Sequence, residues 1–196
     1  AKAVQRAETE GVFSYKTVNA GVASWTPQDV ETMTAFYDAN ISYLDQRVGE
    51  LAGMLRERGI FDNTLFIITS DHGENLFDHG LVDHMFCVYN TLINTPLIIR
   101  LPGVFEAGRR DKRLVQDVDI IPTIADLIGL SWDGKDILQG ESLTKPSSRQ
   151  FAISEYSPFL LNTINVFLNS HKSEFELHRL ASLQKAVVSK DFKFIW

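Results

Sequence analysis

TLFIITSDHGENLFDHGLVDHM, residues 64–85, is the stretch whose reading decides the fold. Its opening, Thr64 to Ser70, is apolar and β-branched with no polar alternation. That pattern predicts a strand buried on both faces, in a parallel or mixed sheet. Asp71-His72-Gly73-Glu74 follows at once. These polar groups therefore fall at the strand's carboxyl end, where open α/β sheets bind their ligands. From Ser70 to Met85 the chain carries three histidines (His72, His79, His84) and four carboxylates (Asp71, Glu74, Asp78, Asp83).

Upstream, Thr26-Pro27-Gln28-Asp29 is a helix start. Thr26 can cap, Pro27 suits the first helical position, and Asp29 sits at the positive end of the dipole. Tyr37, Ile41, Leu44, Val48, Leu51 and Leu55 then recur at 4-3-4-3-4 spacing, one apolar face of a long helix that Gly59 ends. Phe61-Asp62-Asn63 reads as a turn. Residues 1–25 read as a tail or connection.

Downstream, residues 75–90 read as a polar loop with a short helix near Met85 to Tyr89. Pro96 to Leu101 predicts a second buried strand, stopped by Pro102-Gly103. Asp119 to Ile128 predicts a helix with Asp119 as cap, Gly129 as stop and Pro122 in the first turn. Residues 131–150 read as loop and Phe151 to Tyr156 as a strand. Ser170 to Glu176 is polar and predicts a mobile segment. Ala186–Ser189 and Phe192–Trp196 flank Lys190-Asp191 as a hairpin. The boundaries predict one partial domain, with residues 26–145 as its central α/β part and 146–196 as the start of a C-terminal subdomain.

The totals set limits. The 196 residues are 44% hydrophobic and 22% charged, which suits a globular domain with a real core. No apolar run approaches the ~20 residues of a membrane span. The net charge of -6 and the lack of a basic stripe argue against nucleic acid as a partner. An anionic substrate remains open, because a bound cation can outweigh the global charge locally. A single cysteine, Cys87, excludes an intrachain disulfide and a multi-Cys metal site, and reads as a small buried apolar residue. No leader opens the chain, and the compartment stays open.

Asp71 supplies a hard oxygen and His72 a borderline nitrogen, a pairing that suits Ca²⁺, Mn²⁺ or Zn²⁺ when other groups complete the shell. The plain alternative is a turn in which Asp71 bonds its own backbone and Gly73 takes a positive φ. His84 lies across a Gly-containing loop that can fold it back over the strand end, where an imidazole binds an anionic oxygen or protonates a leaving group. Its alternative is a surface histidine. His79 reads as a loop organiser bonded to backbone. Glu74 is either an orienter of His72 or simply solvated.

TLFIITSDHGENLFDHG and NTPLIIRLPG together resemble the sulfatase family of the alkaline phosphatase superfamily. So do FYDANISYLDQRVGELAGMLRERGIFDNT (Phe36 to Thr64), VDIIPTIADLIGL (Val118 to Leu130), DILQGESL (Asp136 to Leu143) and VVSKDFKFIW. The resemblance covers residues 30 to 196. It implies an α/β fold, an alkaline-phosphatase-like mixed sheet flanked by helices, truncated, with the start of a C-terminal antiparallel sheet. It implies that Asp71 and His72 are the late pair of ligands to a divalent cation, most often Ca²⁺ in sulfatases, with Mn²⁺ and Zn²⁺ as alternatives. It implies that His84 stands where members carry a lysine or histidine that contacts the sulfate or phosphate and assists the leaving oxygen.

Two family features have no counterpart. There is no C/S-x-P-x-R motif for a formylglycine nucleophile, and no early pair of aspartates. The expectation is a metal-dependent hydrolase of small-molecule sulfate esters in a full-length parent, with this piece alone inactive. Absent strands would expose apolar edges, which a homo-oligomer would cover. The alternatives are a phosphodiesterase, phosphonate hydrolase or phospho-head-group transferase of the same superfamily, and a non-catalytic module of the same fold.

Overall fold

The computed structural model describes residue 19 and residues 25–130, 139–158 and 182–196. The expectations for the first 24 residues (Asn19 apart), for 131–138 and for Ser170 to Glu176 lie outside the described residues. The chain divides into two compact units. One comprises Ala1–Phe61, His72–Thr95 and Glu155–Gln184; the other comprises Asp62–Asp71, Pro96–Ser154 and Lys185–Trp196.

In the first unit, helix α1 (Pro27–Glu57) begins as its sequence dictates. The Thr26 side chain accepts from the Asp29 backbone N–H, and Asp29 Oδ2 accepts from the Thr26 N–H at 2.8 Å, a complete capping box. The helix closes in a Schellman arrangement, with Ile60 N–H donating to Leu55 O (3.1 Å) and Gly59 N–H to Arg56 O (2.9 Å). Its predicted buried face is largely exposed, 60% for Leu44 and 51% for Ile41. The periodicity is that of a core helix, but an apolar face is buried only where a second layer lies against it.

The segment after His72 is a tight antiparallel hairpin. Strand β2 (Asn75–Leu76) pairs with β3 (Val82–Asp83) in the register Asn75↔Asp83 and Leu76↔Val82. The turn needs left-handed backbone at non-glycine residues, Phe77 (φ 76°) and His79 (φ 54°). Packing and local hydrogen bonds hold it. Trp25 and Val82 form a buried pair against Val30, Met33 and Phe77, and Trp25 stacks on Phe77 at 6.1 Å. The Asn19 side chain bonds both backbone groups of Val82 at 2.9 Å, as a paired strand would. Leu81, Phe86, Cys87 and Leu92 form a second core, so Cys87 is buried as its sequence context predicts. The short helix of this region, α2, is Asn90–Ile93 and not Met85 to Tyr89. Phe86 has φ 71°, which no helix can accommodate, so the helix starts only after Tyr89.

In the second unit, β1 (Phe66–Thr69) pairs antiparallel with β4 (Leu97–Arg100), with Phe66 opposite Arg100. Their residues are half-buried to exposed, not buried on both faces, because a two-stranded ribbon covers little of its own surface. Helix α3 (Ile120–Leu127) follows a 3₁₀ turn at Asp117–Asp119. A third sheet has the order β5 (Ala152–Tyr156), β6 (Gln184–Val188), β7 (Lys193–Ile195), the last two forming the predicted antiparallel hairpin. Among the described residues no helix is long and apolar enough to cross a membrane.

An ion pair organises the second unit. Asp119 is fully buried and meets Arg149 in a two-pronged contact, Arg149 Nη1 on Oδ2 and Nη2 on Oδ1 at 2.6 Å. The same carboxylate accepts the backbone N–H groups of Gln116 and Glu141, both at 2.8 Å. Burial pushes its pKa up, but the Arg149 hydrogen bond and the two N–H groups outweigh that and hold it below the usual carboxylate value. Gly140 passes so close that a Cβ there would lie 2.0 Å from Val118 O. The QGES turn therefore packs backbone on backbone against the start of α3.

Candidate active site

The hairpin register places the functional side chains. With Asn75 opposite Asp83, Glu74 and His84 flank the open end of the ladder. Glu74 Oε2 lies 3.3 Å from His84 Nδ1. Asp83 Oδ1 lies 2.8 Å from the same nitrogen and also accepts the His84 backbone N–H at 2.6 Å. Asp83 holds φ 73°, a left-handed conformation that turns the chain just before His84.

His72 joins this pair. Its ring stacks on that of His84, with centroids 4.3 Å apart and planes 17° apart. His72 Nδ1 lies 2.8 Å from Gly73 O. A carbonyl only accepts, so that nitrogen carries the hydrogen and Nε2 keeps the lone pair, the arrangement of a metal-ligating histidine. Gly73 is required in this position. Its N–H donates to Leu92 O (2.8 Å), and a Cβ there would lie 1.8 Å from Thr91 O.

Beneath the hairpin lies fully buried Asn75, which no sequence signal singles out. Its Nδ2 donates to Asp83 O at 3.0 Å and its Oδ1 accepts from Thr91 Oγ1 at 2.6 Å. One amide thus ties β2, β3 and α2 together. Only its place inside a motif rich in ionisable residues could flag it. At the loop tip the His79 ring stacks on Tyr89 with centroids 4.0 Å apart.

Of Asp71, His72 and His84, the structure brings the two histidines together and adds Glu74. Ligand atoms of His72, Glu74 and His84 lie within 4.8 Å of one another. Asp71 is outside this group. It belongs to the second unit, where its charge helps to raise the pKa of Asp117, after the larger effect of that group's own burial. Glu74 itself is raised, first by burial and then by Asp83, against the lowering pull of His84.

The donor set can be tested against a metal. An imidazole binds through a lone pair in its ring plane, so two imidazoles share an ion only where both planes contain it. Planes 17° apart and stacked do not converge near either ring. As arranged, the two rings do not aim their lone pairs at one point, and Glu74 places a carboxylate oxygen within 4.8 Å of ligand atoms of both.

The family model described as Sulfatase matches residues 7–130, well over half of the chain. The chain belongs to the sulfatase family. Arylsulfatase K of Bos taurus is 34% identical over 139 residues, 71% of this chain and 25% of that protein. Choline-sulfatase of Rhizobium meliloti is 34% identical over 146 residues, 69% of this chain and 28% of that protein. The chain thus spans about a quarter of the length of the curated relatives it matches. Among solved structures, a phosphonate monoester hydrolase from Silicibacter pomeroyi superposes with a TM-score of 0.71 at 26% identity, covering 87% of this chain and 34% of that one. The fold of this sulfatase-family chain is accordingly alkaline-phosphatase-like, mixed helix and sheet with small antiparallel sheets.

Proposed function

We propose that the full-length parent of this chain is a metal-dependent hydrolase of sulfate esters, with Asp71 and His72 as metal ligands and His84 as the acid for the leaving alcohol. The observation that carries this reading is the face-to-face pairing of His72 and His84 at the mouth of one hairpin, in a chain of the sulfatase family.

Asp71 and His72 would hold the cation, for which Ca²⁺ is the family's usual choice. When bound, the metal supplies Lewis-acid stabilisation of charge on the transferring group and lowers the pKa of a coordinated nucleophile. His72 contributes Nε2, with Nδ1 pinned to the Gly73 carbonyl. His84, in its protonated form, gives the Nε2 proton to the departing oxygen and returns to the neutral ring. No C/S-x-P-x-R motif for a formylglycine nucleophile occurs in these 196 residues.

A second reading keeps the fold and changes the ester. Similarity to a phosphonate monoester hydrolase and the histidine at position 84 favour a phosphodiester or phosphonate ester as substrate. Steady-state assays of the full-length parent on matched aryl sulfate, aryl phosphodiester and aryl phosphonate esters decide between them. The first reading expects the highest kcat/KM on the sulfate. A parent that prefers the phosphorus esters at least tenfold establishes the second reading, and one that turns over none of them with metal supplied overturns both.

A further inference from the structure

We propose that Glu74 is the positioning carboxylate of His84, fixing its tautomer and ring orientation; this rests on the reading of His84 as proton donor. The basis is the strand register. Asn75 opposes Asp83 and Leu76 opposes Val82, so Glu74 and His84 flank the open end of this ladder. Cross-strand neighbours lie within direct side-chain reach. Glu74 Oε2 is 3.3 Å from His84 Nδ1, and the Glu74 side chain is only 27% exposed.

Two other groups face the His84 ring. Asp83 Oδ1 is nearer to Nδ1, at 2.8 Å, but that oxygen already accepts the His84 backbone N–H, and it sits on the adjacent residue. His72 stacks against the ring face and contributes no acceptor in the ring plane. The hydrogen bond of Glu74 goes to His84 Nδ1, while His72 Nδ1 pairs with Gly73 O. Glu74 is therefore the acceptor that reaches His84 from the other arm of the hairpin.

A carboxylate on Nδ1 keeps the hydrogen there and leaves Nε2 as the nitrogen that exchanges protons. In the forward step the Nε2–H bond breaks and an O–H bond forms on the leaving oxygen. The ring returns to neutrality with its hydrogen on Nδ1, still bonded to Glu74. A hydrogen bond to a charged group contributes about 1.5–3 kcal/mol, which at its lower end corresponds to about a tenfold tautomer preference.

The test uses the full-length parent labelled with ¹⁵N-histidine, with nitrogen shifts of His84 read at a fixed pH where the ring is neutral. Wild type should show predominantly the Nδ1–H form. E74A should lower the Nδ1–H to Nε2–H ratio about tenfold, and E74Q, whose amide oxygen still accepts, should restore part of it. On a sulfate ester of a poor leaving alcohol, E74A should lower kcat at least tenfold with KM within twofold. A tautomer ratio unchanged in E74A, alongside a kcat loss in H84A, overturns the role of Glu74 alone. Undiminished kcat in H84A overturns the reading of His84 and the proposal with it.

Discussion

His72 and His84, twelve residues apart, stack face to face with ring centroids 4.3 Å apart. The contact depends on a hairpin whose turn departs from ordinary turn chemistry, and the hairpin depends on Asn75. Removing that amide takes a partner from the Asp83 carbonyl and the Thr91 hydroxyl in a half-buried setting. Asn75→Ala should cost about 1–3 kcal/mol. The denaturation midpoint of the full-length parent checks it, and a midpoint equal to wild type would mean that the hairpin is held by other contacts.

Gly73 has no room for a side chain, because its Cβ would meet Thr91 O at 1.8 Å. The obstacle is backbone, which cannot rotate away. Gly73→Ala should separate β2 from α2, destabilise by about 3 kcal/mol or more, and abolish activity through His72. Thermal denaturation alongside an ester assay reads both losses. A soluble, wild-type-stable G73A protein would show that the segment shifts without cost.

The Asp119–Arg149 pair predicts an asymmetry. Arg149→Met leaves a buried carboxylate with only two backbone partners and should cost about 3–5 kcal/mol. Arg149→Lys should also destabilise, because an ammonium cannot make the two-pronged contact. Urea unfolding of the three proteins orders them: wild type, then Lys, then Met. A Met variant as stable as wild type would remove the pair from the account of the QGES turn.

The same pair predicts the acid limb. The Asp119 pKa is lower in the folded chain than in the unfolded one, so the unfolded state binds the proton more readily. Its contribution is complete above the ordinary aspartate value of ~3.9 and is lost as pH falls through the lower folded value. Stability of wild type should therefore drop more steeply below about pH 4 than that of R149M. Parallel acid limbs in the two proteins would contradict this.

Local signals were legible because their causes are local. Thr26 and Asp29 cap α1 within four residues, and Lys190-Asp191 lies between two apolar runs that pair as a hairpin. The Glu74–His84 pair was not legible. Its register depends on left-handed backbone at Phe77 and His79, and a bulky aromatic such as Phe77 does not signal such a turn. Asp119 could be read as a helix cap, but nothing local joins it to Arg149, thirty residues on. The apolar face of α1 was legible as a pattern, yet Ile41 and Leu44 remain exposed, because periodicity marks a face suited to burial and does not supply the layer that buries it.

Divalent-cation affinity of the full-length parent tests the metal assignment most directly. Calorimetric titration with Ca²⁺, repeated with Mn²⁺, should show D71A and H72A each weakened at least ~10-fold, and H84A within about threefold of wild type, since two stacked rings do not aim their lone pairs at one point. Unweakened binding in both D71A and H72A, or a loss in H84A as large as in H72A, would contradict the division of work between the two stacked histidines.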